Sequence, residues 1–326
     1  MGSIKGEATR IIDSALDLGI VPGFSSIGYG VRKRIYGWGE DRLDGRSVMV
    51  TGANAGIGRA IAEGLAGAGA TVHMVCRNLA KGEEAREAIA LETGTEPHLH
   101  QCDLSSLASV REFAGSFLAS GEQLDVLVNN AGVMPAERQM TDEGFELTFA
   151  TNVLGPFLLT ELLLPRISES DDGRVVMMSS GGMYSTGFSL RDPQLEGTEY
   201  DPPAVYAHTT RAEVMLADEF NRRTGGDPAV CSMHPGWAAT GGVSDALPTF
   251  NRVMGPILRT AGAGADTAVW LSGASATEAP GGLFYMDRRP RPKYRVPGTR
   301  ETATDRAGLF ELCEELTGRT AAVRAD

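Results

Sequence analysis

VMVTGANAGIG, residues 48–58, is the stretch that decides the fold. The apolar run at its start predicts a buried strand, and Gly52, Gly56 and Gly58 let the backbone approach a ligand closely. The helical pattern that follows would point free N–H groups at the same spot, which favours an anion such as the pyrophosphate of a dinucleotide. The alternative is a tight strand-to-helix turn that binds nothing. The glycine spacing excludes a P-loop, because no Lys-Ser/Thr pair follows it.

Composition limits the class of protein. The chain has 326 residues and a formal net charge of -12, which argues against a nucleic-acid partner because such a partner requires a basic face. The four cysteines lack the CxxC spacing of metal and redox sites, so we expect no metal. The sequence shows neither a long apolar run nor a signal-peptide pattern. We therefore expect a cytoplasmic protein that binds a small molecule.

Short apolar runs alternate with helical segments from residue 47 onward. Such runs are typical of parallel strands covered on both faces. They predict an α/β fold, a Rossmann-type doubly wound sheet of about seven strands with helices on both faces. The predicted strands are 47–51, 71–76, 97–102, 125–128, 174–179, 229–233 and 282–285. Ligands bind such sheets at the carboxyl ends of the strands, so the informative residues should follow each strand.

The same rhythm divides the chain into three parts. Residues 1–46 form a predicted N-terminal arm, residues 47–300 the α/β domain, and residues 301–326 a C-terminal helix and tail. Within the domain, the segment 288–293 holds three arginines, one lysine and two prolines, and we predict a solvated loop there.

The arm has two interpretations. Its helical apolar spacing, its aromatic side chains and the basic triplet 32–34 fit an anchor at a membrane interface. The basic cluster is short and flanked by acidic residues, so we favour an arm packed against the domain. The aromatic belt of the membrane hypothesis would be Phe24, Tyr29, Tyr36 and Trp38.

The residues after the second to fourth strands favour a particular cofactor. Arg77 follows the second strand, where an acidic residue would bind the ribose hydroxyls of NAD. An arginine there suits a 2′-phosphate, so we predict NADP(H) in preference to NAD(H). The alternative is a surface charge beside a cofactor held some other way. Asp103 could accept a hydrogen bond from the adenine amino group, and Asn129 begins the polar turn after the fourth strand.

Seven motifs in register resemble the short-chain dehydrogenase/reductase family, and in particular its retinol-dehydrogenase-like branch, over residues 45–290. They are TGANAGIG at 51–58, CDL at 102–104, NNAG at 129–132, Asn152, VMMSS ending at Ser180, Tyr206 and HPGW at 234–237. The resemblance implies a cofactor site made of Gly52, Asn54, Gly56, Ile57, Gly58, Arg77, Asp103, Leu104, Asn129, Ala131, Gly132, Tyr206, Pro235, Gly236 and Thr240.

The resemblance also implies hydride transfer between the nicotinamide and a carbinol or carbonyl carbon. Tyr206 would be the general acid/base, Ser180 would orient the substrate oxygen, and Asn152 would hold a water in a proton relay. His234 ends a strand before a proline, and we expect a structural role for it.

One residue of the family pattern is missing. The family has a lysine four residues after the tyrosine, which lowers the pKa of the phenol, and here that position is Thr210. Arg211 is a cation one residue further, turned about 100° around the helix. It either reaches back to supply the field or faces solvent.

Three functions therefore stay open. The first is an NADP(H)-dependent oxidoreductase for an apolar alcohol or carbonyl, because the apolar residues of a predicted lid at 237–262 suggest a hydrophobic substrate, unless they pack on the body. The second is a catalytically weak NADP-binding accessory or sensor, and the third is noncanonical redox or dehydration chemistry in the same pocket. The family also allows a homodimer through the predicted helices 144–166 and 204–222.

Overall fold

The computed structural model describes residues 2–239, 252 and 254–319, and the side chains from residue 9 onward within them. The helices are α1 Gly2–Leu18, α2 Ile20–Phe24, α3 Ser26–Tyr36, α4 Gly56–Gly67, α5 Leu79–Thr93, α6 Leu107–Ser120, α7 Leu147–Phe149, α8 Gly155–Ile167, α9 Pro202–Arg223, α10 Ala261–Gly273 and α11 Ala303–Leu316. The strands are β1 Ser47–Thr51, β2 Thr71–Cys76, β3 His98–Gln101, β4 Val126–Asn129, β5 Arg174–Met178, β6 Ala229–Met233, β7 Phe284–Met286 and β8 Arg289–Arg291. A π turn, Ala150–Leu154, joins α7 to α8, and a 3₁₀ turn spans Gly181–Ser185.

The sheet confirms the doubly wound prediction. Its strand order is β3-β2-β1-β4-β5-β6-β7-β8, with neighbours parallel from β3 to β7. The chain reverses direction across the sheet between β1 and β4, and this switch point is where such sheets bind dinucleotides.

The predicted solvated loop at 288–293 is wrong. Residues Arg289–Arg291 form an eighth strand antiparallel to β7, so the sheet exceeds the predicted seven. Pro290 is tolerated because β8 is an edge strand. The charges that suggested solvation are paired instead: Arg288 bonds Asp41 and Asp266, and Lys293 bonds Asp218.

The sheet is covered on both faces. One core cluster lies between the sheet and α6, α8, α9 and α11, and the other between the sheet and α4, α5 and α10. The segment Leu147–Ile167 is long and apolar enough to cross a membrane, but 83% of its apolar window is buried inside the protein. It therefore packs as the core helix of this sheet.

The N-terminal arm packs against the domain. Arg32 is fully buried and bonds Asp13 within the arm and Asp287 beyond β7, both at 2.7 Å. The aromatic residues proposed for a membrane belt make contacts inside the protein: Tyr36 bonds Asp13, Phe24 is buried, and Tyr29 packs on Trp38.

The C-terminal helix packs on the two helices predicted as a possible homodimer surface. Phe310 of α11 meets Phe157 of α8 at 4.9 Å and Phe220 of α9 at 4.8 Å between ring centroids, and all three side chains are buried. A homodimer through these faces would require α11 to be displaced.

Candidate active site

The glycine turn between β1 and α4 is too tight for other residues. Gly52 and Gly56 have positive φ angles of 67° and 55°. A Cβ on Gly58 would lie 2.3 Å from the carbonyl oxygen of Gly52 and 2.4 Å from Nδ2 of Asn130. The first turn of α4 is thereby held against the end of β4, with its backbone N–H groups directed at the switch point.

A cleft of about 520 Å³ opens beside this turn at the carboxyl ends of the strands. It brings together most of the residues that the sequence predicts for the cofactor. These are Gly52, Asn54, Gly56, Ile57, Gly58, Arg77, Asp103, Leu104, Ala131 and Gly132.

The structure corrects the prediction that the side chain of Asn129 faces the cofactor. Asn129 points into the core, where its Nδ2 donates to Thr160 Oγ1 at 3.0 Å and to Met177. Its neighbour Asn130 lines the cleft and donates to the carbonyl oxygen of Thr51 at 2.8 Å. Successive side chains of a strand point to opposite sides, so only one of the pair can face the cofactor.

Two cations border the cleft beyond β2. Arg77 is largely exposed and lies 4.0 Å from Asp103, and Lys81, in the first turn of α5, also lines the cleft. The sequence analysis did not predict Lys81 as a cofactor residue. Its position in the first turn of the helix that follows Arg77 could have indicated it. Both cations can therefore contribute positive charge to this end of the cleft.

Contacts connect the cleft to the predicted catalytic residues. Asn152 lies in the π turn, accepts a hydrogen bond from the backbone N–H of Val133 at 2.9 Å, and donates to Thr209 of α9 at 3.1 Å. A Cβ on Gly132, which lines the cleft, would lie 3.5 Å from Asn152 Oδ1. The π turn thus ties the cleft to the helix that carries Tyr206.

Ser180 and Tyr206 lie on turns that pack together. A Cβ on Gly182 would lie 3.3 Å from Cβ of Ala207 and 4.0 Å from Oγ of Ser180. Both Ser180 and Tyr206 are half-buried. The two residues on which the predicted chemistry depends are therefore brought to one side of the domain by packed turns.

Arg211 does not replace the missing lysine. Its guanidinium is fully buried, pairs with Glu301, donates to the carbonyl oxygen of Lys293 at 2.8 Å and lies over the ring of Tyr294. It therefore neither reaches back to Tyr206 nor faces solvent. Glu301 lies 90 positions away in the chain, so local spacing could not reveal the pairing.

Thr210 brings a hydroxyl where the family has a charge. Its Oγ1 donates to the carbonyl oxygen of Ala207 at 3.1 Å, and its own carbonyl oxygen accepts from Ser179 at 2.8 Å. Burial raises the pKa of the Tyr206 phenol well above its usual range, and Glu213 raises it further. Burial also raises the pKa of Glu213, and one of its carboxyl oxygens has no hydrogen-bond partner among the described residues. The phenol is therefore fully protonated at neutral pH.

The turn after β6 carries Pro235 and Gly236 of the predicted cofactor site, and neither residue lines the cleft. Gly236 has a φ of 77°, and a Cβ there would lie 2.2 Å from Nε of Arg259. His234 is buried, and burial lowers its pKa to about 3, so its ring is neutral. Pro235 accepts a hydrogen bond from Arg259 at 3.3 Å. Thr240 and most of the predicted lid, 240–251 and residue 253, lie outside the described residues.

Comparison with known proteins defines the class. Residues 46–189 match the model of the family described as short chain dehydrogenase. The chain is 41% identical over 285 residues to "Dehydrogenase/reductase SDR family member 12" of Bos taurus, with 86% of this chain and 89% of the relative covered. The chain therefore belongs to the short-chain dehydrogenase/reductase family. It is an oxidoreductase of alcohols or carbonyls, and its fold implies a nicotinamide cofactor.

Other relatives place it in the retinol-dehydrogenase-like branch. It is 37% identical over 250 residues to "Retinol dehydrogenase 12" of Homo sapiens, covering 76% of this chain and 79% of the relative. Among solved structures, an uncharacterized protein from Mycobacterium Paratuberculosis has a TM-score of 0.69 at 32% identity, covering 85% of this chain and 95% of that one. A short chain dehydrogenase from Escherichia coli CFT073 complexed with NADPH has a TM-score of 0.62 at 25% identity, covering 77% and 100%.

Proposed function

We propose that the protein reduces an apolar aldehyde or ketone with NADPH. The observation that carries this proposal is the packing of the Ser180 turn against the first turn of α9, a helix that Asn152 connects to the cleft of about 520 Å³. When bound, the nicotinamide supplies the hydride. Ser180 donates a hydrogen bond that orients the carbonyl oxygen, and Tyr206 donates its phenolic proton to that oxygen as negative charge develops there.

The preference for NADP(H) is supported by charge. Arg77 and Lys81 both border the cleft where the adenosine ribose would lie, and a 2′-phosphate would accept charge-assisted hydrogen bonds from them. Solved relatives complexed with NADP and NADPH are consistent with this choice.

The direction of reaction is supported by the state of Tyr206. Burial and Glu213 keep its phenol protonated, which suits a proton donor and opposes the phenolate that alcohol oxidation needs. At neutral pH Tyr206 is thus in the protonation state from which a proton can pass to a carbonyl oxygen.

The absence of the family lysine at position 210 supports a second candidate function. Because Arg211 is committed to Glu301, the structure also suits an NADP-binding accessory protein with little catalysis. NADPH consumption over a panel of apolar aldehydes and ketones, including retinal, separates the two. We expect turnover by the wild type and loss of at least about a hundredfold in Tyr206→Phe, the lower end of the range for general acid catalysis. Tyr285→Phe, which removes a buried hydroxyl from β7, is the matched control and should retain full activity.

Thr210→Lys restores the family cation one helical turn from Tyr206. We expect it to speed alcohol oxidation at neutral pH by lowering the pKa of the phenol. Binding of NADPH without consumption, in wild type and Thr210→Lys alike, would support the accessory role. An unchanged rate in Tyr206→Phe would instead favour noncanonical redox or dehydration chemistry.

We also propose that α1 contacts an anionic membrane surface. This helix turns its acidic side toward the protein, where Asp13 and Asp17 meet Arg291 and Arg295. Among its described side chains, Ile11, Ile12 and Leu18 are exposed to solvent. The exposed aliphatic side chains of the arm are Ile11, Ile12, Leu18, Ile20, Val21 and Ile27. Lys33 and Arg34 are exposed near Ile27 on α3, and their charge favours anionic lipid over an uncharged protein partner.

A further inference from the structure

Phe24 joins the N-terminal arm to both turns that border the catalytic residues. It ends α2 and is 4% exposed. Its ring meets His234 edge-on at 4.7 Å and Trp237 edge-on at 5.7 Å, and it stacks on Tyr184 at 6.2 Å. Tyr184 belongs to the 3₁₀ turn that begins directly after Ser180, and His234 and Trp237 flank Pro235 and Gly236.

The contact reaches the residue next to Ser180. A Cβ on Gly181 would lie 3.1 Å from Nε2 of His234 and 3.2 Å from the ring of Phe24. These distances are shorter than ordinary van der Waals contacts, so no space separates the arm from this turn. A shift of Phe24 would therefore displace the backbone next to Ser180.

Buried hydrogen bonds hold Phe24 in place. Its carbonyl oxygen accepts from the backbone N–H of Trp237 at 2.8 Å and from Nε of Arg259 at 2.9 Å. Arg259 also bonds Asp287 at 2.6 Å, and Asp287 accepts from Arg32 of the arm. The backbone of Phe24 thus binds the arm to the turn after β6. Arg32 of the arm and Arg259 add a second connection, because both bond the carboxylate of Asp287.

We propose that Phe24 is a positioning residue, through which the N-terminal arm sets the spacing between the Ser180 turn and the Pro235–Gly236 turn. The kinetic consequence rests on the proposed function, because these turns orient the carbonyl oxygen and the nicotinamide. The structural consequence, a change in the position of the two turns, does not depend on the proposed function. Small displacements of positioned groups cost catalysis steeply, so a cavity at Phe24 should lower turnover more than binding.

The test combines hydrogen–deuterium exchange with kinetics on the full chain. In Phe24→Ala we expect faster amide exchange in 179–185 and 234–239, with 47–58 unchanged. We expect kcat to fall about tenfold with little change in KM, in keeping with a displacement smaller than 1 Å. Phe24→Leu fills most of the volume and should recover much of both losses. If Phe24→Ala does not fold, Gly181→Ala, whose added methyl group would crowd the ring of Phe24, takes its place in the exchange comparison.

Trp38→Leu is the matched control, since it removes an aromatic ring from the arm that contacts Tyr29 and Arg288 and neither turn. It should lower the melting temperature without changing kcat. Unchanged exchange in both turns of folded Phe24→Ala would overturn the proposal. So would equal losses of kcat in Phe24→Ala and Trp38→Leu, which would indicate general destabilisation. If wild type reduces no carbonyl, the proposed function fails, and the exchange data still decide the role of Phe24.

Discussion

At the scale of single residues, one face of α9 explains the chemistry of the site. Tyr206, Thr210 and Glu213 recur at intervals of four and three residues, so they align along the helix. The family places a cation at the middle position, whereas this chain has a hydroxyl bonded within the helix and a buried carboxyl group one turn on. Both differences keep the Tyr206 phenol protonated. The site is therefore better suited to donating a proton than to removing one.

The first prediction concerns Arg77. Arg77→Ala should weaken NADPH binding by roughly tenfold while leaving NADH binding unchanged, because only NADPH carries the 2′-phosphate and a hydrogen bond to a charged group contributes about 1.5–3 kcal/mol. Fluorescence titration with both cofactors measures this. Arg86→Ala, which removes a charge from α5 that pairs with Glu83, is the control and should not affect either cofactor. If the variant binds NADPH and NADH more weakly to the same extent, Arg77 does not bind the 2′-phosphate.

At the scale of elements, the neighbouring strands β2 and β3 carry a cluster of histidines, which are His73, His98 and His100. Nδ1 of His73 lies 3.0 Å from Nε2 of His100, its ring stacks on His98 at 5.0 Å, and Glu122 lies 3.6 Å away. Burial, and then His100 and His98, lowers the pKa of His73 from 6.5 to about 3. The folded state therefore holds this ring neutral where the unfolded chain would bind a proton.

The second prediction is the resulting dependence of stability on pH. Between pH 6.5 and about 3 the unfolded state binds more protons at His73, so the free energy of unfolding should fall as the pH is lowered. At pH 5 this one group should cost about 2 kcal/mol relative to pH 8. His234, with its similar pKa, acts in the same direction. Urea unfolding at the two pH values measures the sum.

The variant His73→Leu isolates the contribution of the cluster. It removes the titrating ring, so the difference in unfolding free energy between pH 8 and pH 5 should shrink by about the same 2 kcal/mol. A pH dependence identical to that of wild type would mean that His73 is protonated in the folded protein.

At the scale of the whole molecule, the two ends of the chain wrap the α/β domain. The arm binds the domain through Arg32 and Phe24, and α11 covers α8 and α9 through Phe310. The first contact brings the arm to the turns beside the candidate active site, and the second covers part of the predicted homodimer surface. The exposed aliphatic side of α1 is left as an apolar surface outside the domain.

The third prediction tests that surface by flotation of the full chain with vesicles. Wild type should float with phosphatidylserine-containing vesicles and less with phosphatidylcholine alone, because lipid binding combines apolar burial with attraction of the basic residues. The double variant Ile11→Ser, Leu18→Ser should stay in the soluble fraction. Leu91→Ser, which removes a 90% exposed leucine from α5, is the control and should float like wild type.

Equal soluble recovery of wild type and the double variant would end the membrane proposal. If light scattering then showed a dimer that the double variant loses, the same surface would bind a second copy of the chain.

The sequence by itself determined the parallel sheet, the glycine turn and the family, because these depend on local patterns: apolar runs, glycine spacing and short motifs in register. Ten of the residues predicted for the cofactor line one cleft, and their role in binding it stays a prediction. Local pattern could not decide between Asn129 and Asn130, which differ only in the side of the strand they face.

Only the tertiary structure decided the partners of the charges and of the arm. Arg211 pairs with Glu301, and Arg32 with Asp287, across 90 and 255 positions of the chain. Phe24 meets His234 although some two hundred residues of chain lie between them. Such pairings depend on which surfaces folding brings together, and neither periodicity nor residue type along the chain carries that information. The state of Tyr206 follows in part from them, because Arg211 is paired with Glu301 and burial, followed by Glu213, is what shifts the pKa of the phenol within the described structure.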